Sequence, residues 1–146
     1  MGATGLPLVS SIQFTLPSLP PSSNSLYNVL FALRKVELKP EARLWKSRAK
    51  EYVPKWRVDE GDKLSITFLF FGRWYSAEGK LLKKDVTNRE KLCLDAIAEK
   101  QGWDDSQVFY RAVSKVQDER ERVEVRIVKI SLAISEPIGY TSEHEQ

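Results

Sequence analysis

Between Lys84 and Gln107 the chain reads KDVTNREKLCLDAIAEKQGWDDSQ: an acid, a helical pattern, then paired acids. At about 100° per residue, Asn88, Lys91, Asp95 and Glu99 fall on one narrow stripe. Leu92, Cys93, Leu94, Ala96, Ile97 and Ala98 take nearly all the remaining circumference. A helix so apolar is predicted to be buried on several sides, and its polar stripe must then face a cleft, a partner or a satisfied interior network. Asp85 or Thr87 is placed to cap its start, and Gly102 suits a left-handed stop after Lys100 and Gln101. The helix separates Asp85 from Asp105 by about 20 Å of axis at most, so the two meet only if the following strand runs back alongside it, which we expect.

At 146 residues the chain is long enough for one domain with a proper core and no staple. The single cysteine, Cys93, allows no internal disulfide and points to a reducing, cytoplasmic setting. The one histidine, His144, sits in a polar tail, so histidine base chemistry, Cys–His catalysis and zinc knuckles are not expected. Any catalysis must rest on carboxylates, lysine and a hard metal. The longest apolar run, Ile66 to Phe71, is far too short to span a bilayer. Net charge is only +3, but Arg34 to Arg57 holds nine basic residues against three acidic ones. That concentration suits a polyanion, or simply a solvated helix face.

Residues 1–10 read as a flexible leader, 11–135 as the domain and 136–146 as a flexible acidic tail. Ile12, Phe14 and Leu16 alternate with polar residues in a half-buried strand that Pro17 ends. The loop through Pro20, Pro21, Ser22, Ser23 and Asn24 either braces Tyr27 or lines a phosphate-binding surface. A helix is expected from Glu41 to Tyr52, started by Pro40 and closed by Pro54. Lys63 to Phe71 reads as a central strand, apolar on both faces, which Arg73–Tyr75 continues before a turn at Ala77–Lys80. Gln107 to Lys115 and Arg122 to Ser131 read as two further strands, joined as a hairpin by Gln117–Arg120. The fold class is α+β, a mixed sheet of about four main strands with two principal helices.

The run Asp85-Val86-Thr87-Asn88-Arg89-Glu90-Lys91, the helix segment Asp95-Ala96-Ile97 and the stretch Asp104-Asp105-Ser106-Gln107-Val108 resemble the RusA-like family of Holliday junction resolvases. Those proteins carry Asp-x-Asp-Asn-x-x-Lys, a helix with Asp-Ala-Leu, and Asp-Asp-x-Gln-Val. Upstream, Pro20-Pro21-Ser22-Ser23-Asn24-Ser25-Leu26-Tyr27 resembles the family's Pro-Pro-Ser-x-Asn-x-x-Tyr. The likeness spans roughly Ile12 to Ile130. One position departs: Thr87 stands where the family has its second acid.

The resemblance implies a Mg²⁺-dependent homodimeric endonuclease, with Mn²⁺ as the alternative ion, that resolves four-way DNA junctions by paired nicks. It also implies a bacterial, phage or prophage setting, with no membrane and no small-molecule cofactor. Asp85 and Asp105 are the expected metal ligands, with Asp104 a third unless it caps or closes a turn. Lys91 either neutralises charge developing on the phosphate or pairs with Asp95 one turn on. Asn88 is placed to orient a carboxylate or phosphate, and the Thr87 hydroxyl to hold a water. Lys83, Lys84, Lys46 and Lys50, with Ser22 and Asn24, are expected to meet DNA phosphates. Trp45, Trp74, Trp103 and Tyr110 read as packing residues rather than base-stacking platforms. Two other readings compete: a junction-binding relative that has lost metal chemistry at Thr87, and an unrelated binder of single strands or RNA.

Overall fold

Alternation along Lys63–Gly72 decides the architecture. Leu64, Ile66, Phe68 and Phe70 are fully buried while Ser65, Thr67 and Leu69 are half-buried, so this strand has neighbours on both edges and a packed layer on one face. The computed structural model describes residues 10–21, 27–30, 35–84 and 86–130, with the backbone alone at 27–30, 35–37 and 87–88. Its elements are β1 (Ser11–Leu16), β2 (Tyr27–Leu30), β3 (Lys35–Leu38), α1 (Pro40–Lys50), β4 (Lys63–Gly72), α2 (Thr87–Gln101), β5 (Val108–Gln117) and β6 (Arg122–Ile130). A 3-10 turn, Asp105–Gln107, precedes β5.

The main sheet has the order β1-β6-β4-β5, with β4 antiparallel to β6 and parallel to β5. Parallel neighbours need a crossover, and α2 supplies it. The expected hairpin between the last two strands does not form: β4 lies between β5 and β6. Their short connection instead passes over the end of β4, where the Asp118 amide donates to the Gly72 carbonyl. A β-carbon on Gly72 would sit 3.1 Å from Leu19 and 3.7 Å from Glu121, so the crossing depends on a bare backbone there. Turn residues between two strand patterns signal a reversal of direction, not which edge the returning strand takes. The small β2–β3 hairpin is an addition to the sequence reading.

Both helices lie against the sheet face bearing the buried β4 residues. Cys93, Leu94, Ala96, Ile97 and Ala98 of α2 and Ala49 of α1 join that core with Leu16, Val123, Val125 and Ile127. Each large aliphatic or aromatic side chain so buried contributes about 1.5–3 kcal/mol. Helix α1 runs beside α2 in the same sense: Ala42 packs on Leu92, and Gln101 donates to the Pro54 carbonyl at 2.9 Å. The indole N–H of Trp45 donates to Ser18 at 3.0 Å, tying the proline loop to α1.

The N-cap of α2 falls on Val86, which offers no side-chain oxygen, so Thr87 opens the helix rather than capping it. At the other end Gly102 adopts φ 77 and ψ 36, and its amide donates to Ala98 at 2.7 Å. Gly102→Ala places a β-carbon in the left-handed region, and the expected cost is about 1 kcal/mol, read from the urea midpoint.

Candidate active site

The polar stripe of α2 divides by depth. Lys91 is exposed, Asp95 half-buried and Glu99 exposed at 45% of its side chain. Glu99 is clamped by α1: Lys50 Nζ donates to Oε1 at 2.6 Å and Lys46 Nζ donates to Oε2. Lys46 and Lys50, expected at DNA phosphates, therefore spend part of their charge binding α1 to α2. Lys100 adds to this seam by donating to the Lys50 carbonyl at 2.8 Å, closing the end of α1. Burial acts to raise the Glu99 carboxyl, but the bonds and charges of Lys46 and Lys50 win and hold it below the usual carboxylate range.

Asp95 behaves oppositely. Burial raises its pKa, the charges of Lys91 and Lys46 offset part of that, and Asp105 and Glu99 push it up again. The carboxylates of Asp95 and Asp105 thus feel each other across the C-terminal half of α2. Lys91 acts on Asp95 as the one-turn spacing suggests, although it does not close into an ion pair within 4 Å in the described structure.

Asp104 and Asp105 are adjacent but differently employed. Asp104 is the N-cap of the 3-10 turn: its Oδ2 accepts from the Ser106 amide at 2.9 Å, and the Gln107 side chain accepts from the Asp104 amide. Hydrogen bonds from Ser106 hold the Asp104 carboxyl below its ordinary range. The turn-capping alternative is what the structure shows for Asp104. Asp105 is exposed and its side chain has no hydrogen bond or ion pair among the described residues. Gln107 also donates to the carbonyls of Asp59 and Asp62, at 2.8 and 3.1 Å, drawing Asp59, Glu60 and Asp62 to the same end of the sheet.

The opposite end of α2 carries lysines. Lys84 Nζ donates to the Arg73 carbonyl at 3.0 Å, and Lys115 Nζ donates to the Lys84 carbonyl. Both ammonium groups lie over the Trp74 ring, 5.8 and 5.0 Å from its centre. The Lys115 contact pins the segment entering α2 onto β5. Lys83 is exposed beside it. Asp85, Ser22 and Asn24 lie outside the described residues, as do the side chains of Thr87 and Asn88.

Lys84 and Val86, which flank Asp85, therefore stand at the start of α2, and Asp105 stands beyond its end. Fifteen helical residues separate the two by about 22 Å. The strand after α2 does run back alongside it, but it begins at Val108, three residues past Asp105, so the return carries Asp105 nowhere nearer. No group of three or more Asp, Glu, His or Cys among the described residues is arranged to hold a metal ion.

The model of the endodeoxyribonuclease RusA family matches residues 21–128. The chain belongs to the RusA family. That places it among the Holliday junction resolving endonucleases and accounts for the α+β fold with its four-stranded mixed sheet and two helices. No curated protein matches the chain. Among the described residues no helix is long and apolar enough to cross a membrane.

Within this RusA domain, three residues escape motif reading. Glu90, 10% exposed, pairs with Arg111 of β5, whose Nε lies 2.6 Å from Oε2. Burial raises the Glu90 carboxyl and Arg111 offsets part of the rise. An acid on the flank of so apolar a helix was the available signal, since it requires a cation from a packed neighbour. Lys115 had no local signal, because its partner is a backbone carbonyl 31 residues away. Trp74 and Trp103 are core residues as expected, whereas Tyr110 is 59% exposed and does not pack.

Because the Glu99 pKa is depressed, its clamp contributes stability above the unfolded carboxylate value, about 4.3, and loses it as pH falls through the folded value. The expected result is that Glu99→Gln is less stable than wild type near neutrality and that the difference shrinks by about pH 3, measured by thermal melts across pH.

Proposed function

We propose that the chain is a divalent-metal-dependent, structure-selective endodeoxyribonuclease that resolves four-way DNA junctions by paired nicks as a homodimer. The observation that carries this reading is Asp105: an exposed, unengaged carboxylate beside the half-buried Asp95, in the segment matched by the RusA family. Asp85 and Asp105 are the proposed metal ligands, and the distance along α2 bears on how they act. The described donors of one copy do not make a complete set, so we assign Asp85 of one copy and Asp105 of another to the same site. A two-fold substrate calls for two like sites, which this arrangement supplies. Mg²⁺, or Mn²⁺, would bring electrophilic charge to the scissile phosphate.

The chain's own groups have separable parts. Lys91, exposed on the stripe, neutralises charge developing on the phosphate. Asp95 and Asn88 orient their neighbours on the stripe, and Asp104 holds the turn that presents Asp105. Lys83 and Lys84 at one end, Lys46 and Lys50 along α1, and Ser22 and Asn24 in the proline loop contact phosphates, which positions DNA without reading sequence. The setting we propose is the cytoplasm of a bacterium, with a phage or prophage source resting on the resemblance alone.

A labelled synthetic junction incubated with and without Mg²⁺ tests the reading, with symmetric nicks expected only when the ion is present. Asp105→Asn is expected to bind the junction within a few-fold of wild type and not to nick it. Mixing Asp85→Asn and Asp105→Asn chains is expected to restore single-strand nicking, because one site of the mixed dimer is intact; a site built within one chain stays dead in every mixture.

Thr87 favours a second reading, a junction-binding relative without cleavage, since it replaces an acid of the family pattern. Thr87→Asp separates the two. In a cleaving enzyme it is expected to lower the metal concentration for half-maximal nicking; an inert wild type made active by this change establishes the second reading.

A further inference from the structure

Strand β5 is an edge of the main sheet, with β4 its sole strand partner among the described residues. It is ten residues long and contains no proline. Edges of that length are ordinarily shortened, bulged or blocked, because their free N–H and C=O groups recruit another strand. Its one irregularity lies at the start, opposite Leu64 and Ser65, and from Tyr110 to Gln117 the register is regular. Phe109 and Tyr110 are 64% and 59% exposed.

Charge is sorted along this edge. Asp104 and Asp105 stand exposed at its beginning, near Asp59 and Glu60, and Lys115 and Lys84 stand at its end with Lys83. A strand acidic at one end and basic at the other is complementary to itself only when the second copy runs antiparallel.

We propose that β5 is the self-association edge: two copies join β5 to β5 about a two-fold axis, forming one continuous sheet with both α2 helices on the same face. This rests on the homodimer reading above and names its surface. Directly opposed residues on antiparallel strands share a face, so the axis passes beside a residue rather than between two. An axis at Val113 sets Arg111 against Lys115 of the other copy. An axis at Ala112 avoids that repulsion, opposes Tyr110 to Ser114, and is the register assigned. It brings the Asp105 end of each copy to the corner where the other copy's chain enters α2.

Sedimentation and disulfide trapping of the full chain test the surface. Ala112→Cys lies on the axis, where opposed Cα atoms approach within disulfide reach, and Cys93 is buried and its thiol pKa pushed up by that burial, so it does not compete. Oxidation is expected to convert most of the Ala112→Cys chain to covalent dimer, while Gln13→Cys on the exposed β1 edge stays unlinked. Ala112→Lys, which opposes two ammonium groups, is expected to raise the dimer dissociation constant at least about tenfold with the fold retained by circular dichroism. A dimer that Ala112→Cys does not trap and Ala112→Lys does not weaken overturns the β5 surface and leaves the homodimer reading standing. A chain that sediments as a monomer while cleaving junctions overturns both.

Discussion

The packing of α2 on β4 is the contact on which the rest of this molecule depends. Leu64, Ile66, Phe68 and Phe70 present one continuous apolar face, and α2 answers with Cys93, Leu94, Ala96, Ile97 and Ala98. Because β4 is the only strand with two long neighbours on its own sheet, its burial fixes the place of β5 on one side and β6 on the other. The crossover that makes β4 and β5 parallel is the same helix that fills the core, so packing and topology are settled by one element. A loss of side-chain volume at Phe68 would be felt by both sheet neighbours and the helix at once.

That helix also organises charge. Its exposed flank is tied to α1 through Glu99, its start to β5 through Glu90 and Arg111, and the segment that enters it to β5 through Lys115. These are ties between elements far apart in sequence, made by charged groups that are only partly dehydrated, and each is worth modest stability. Their larger effect is positional. They fix the orientation of α2 about its own axis, and with it the direction in which Lys91 and Asp95 face.

Sequence reasoning located the helices, the four long strands, the left-handed Gly102 and the central place of β4, because each is written in local periodicity or in a glycine that only one conformation explains. It misassigned the β5–β6 connection, since pairing partners are chosen by the whole sheet and leave no mark in a four-residue turn. It joined Asp85 to Asp105 by supposing that a returning strand carries an acid back; the acid precedes the strand, and fifteen helical residues keep the two ends apart. Asp104 and Asp105 look equivalent as letters, and only the hydrogen bonds of the 3-10 turn distinguish the one that closes it from the one left facing water. Tyr110 was taken for a packing residue because aromatic side chains are usually buried, a tendency that edge strands escape.

The pairing of β1 with β6 sets the first strand against the last, with Ser11 opposite Val128 and Leu16 opposite Val123. During synthesis β1 leaves the ribosome with no mate, and roughly a hundred further residues must be polymerised before β6 arrives, at about 5–20 residues per second. For those seconds Ile12, Phe14 and Leu16 are exposed to whatever else the nascent chain, or a chaperone, offers. Closure of the sheet is therefore a post-translational event in the literal sense: the amino-terminal strand is the oldest part of the molecule and among the last to find its seat.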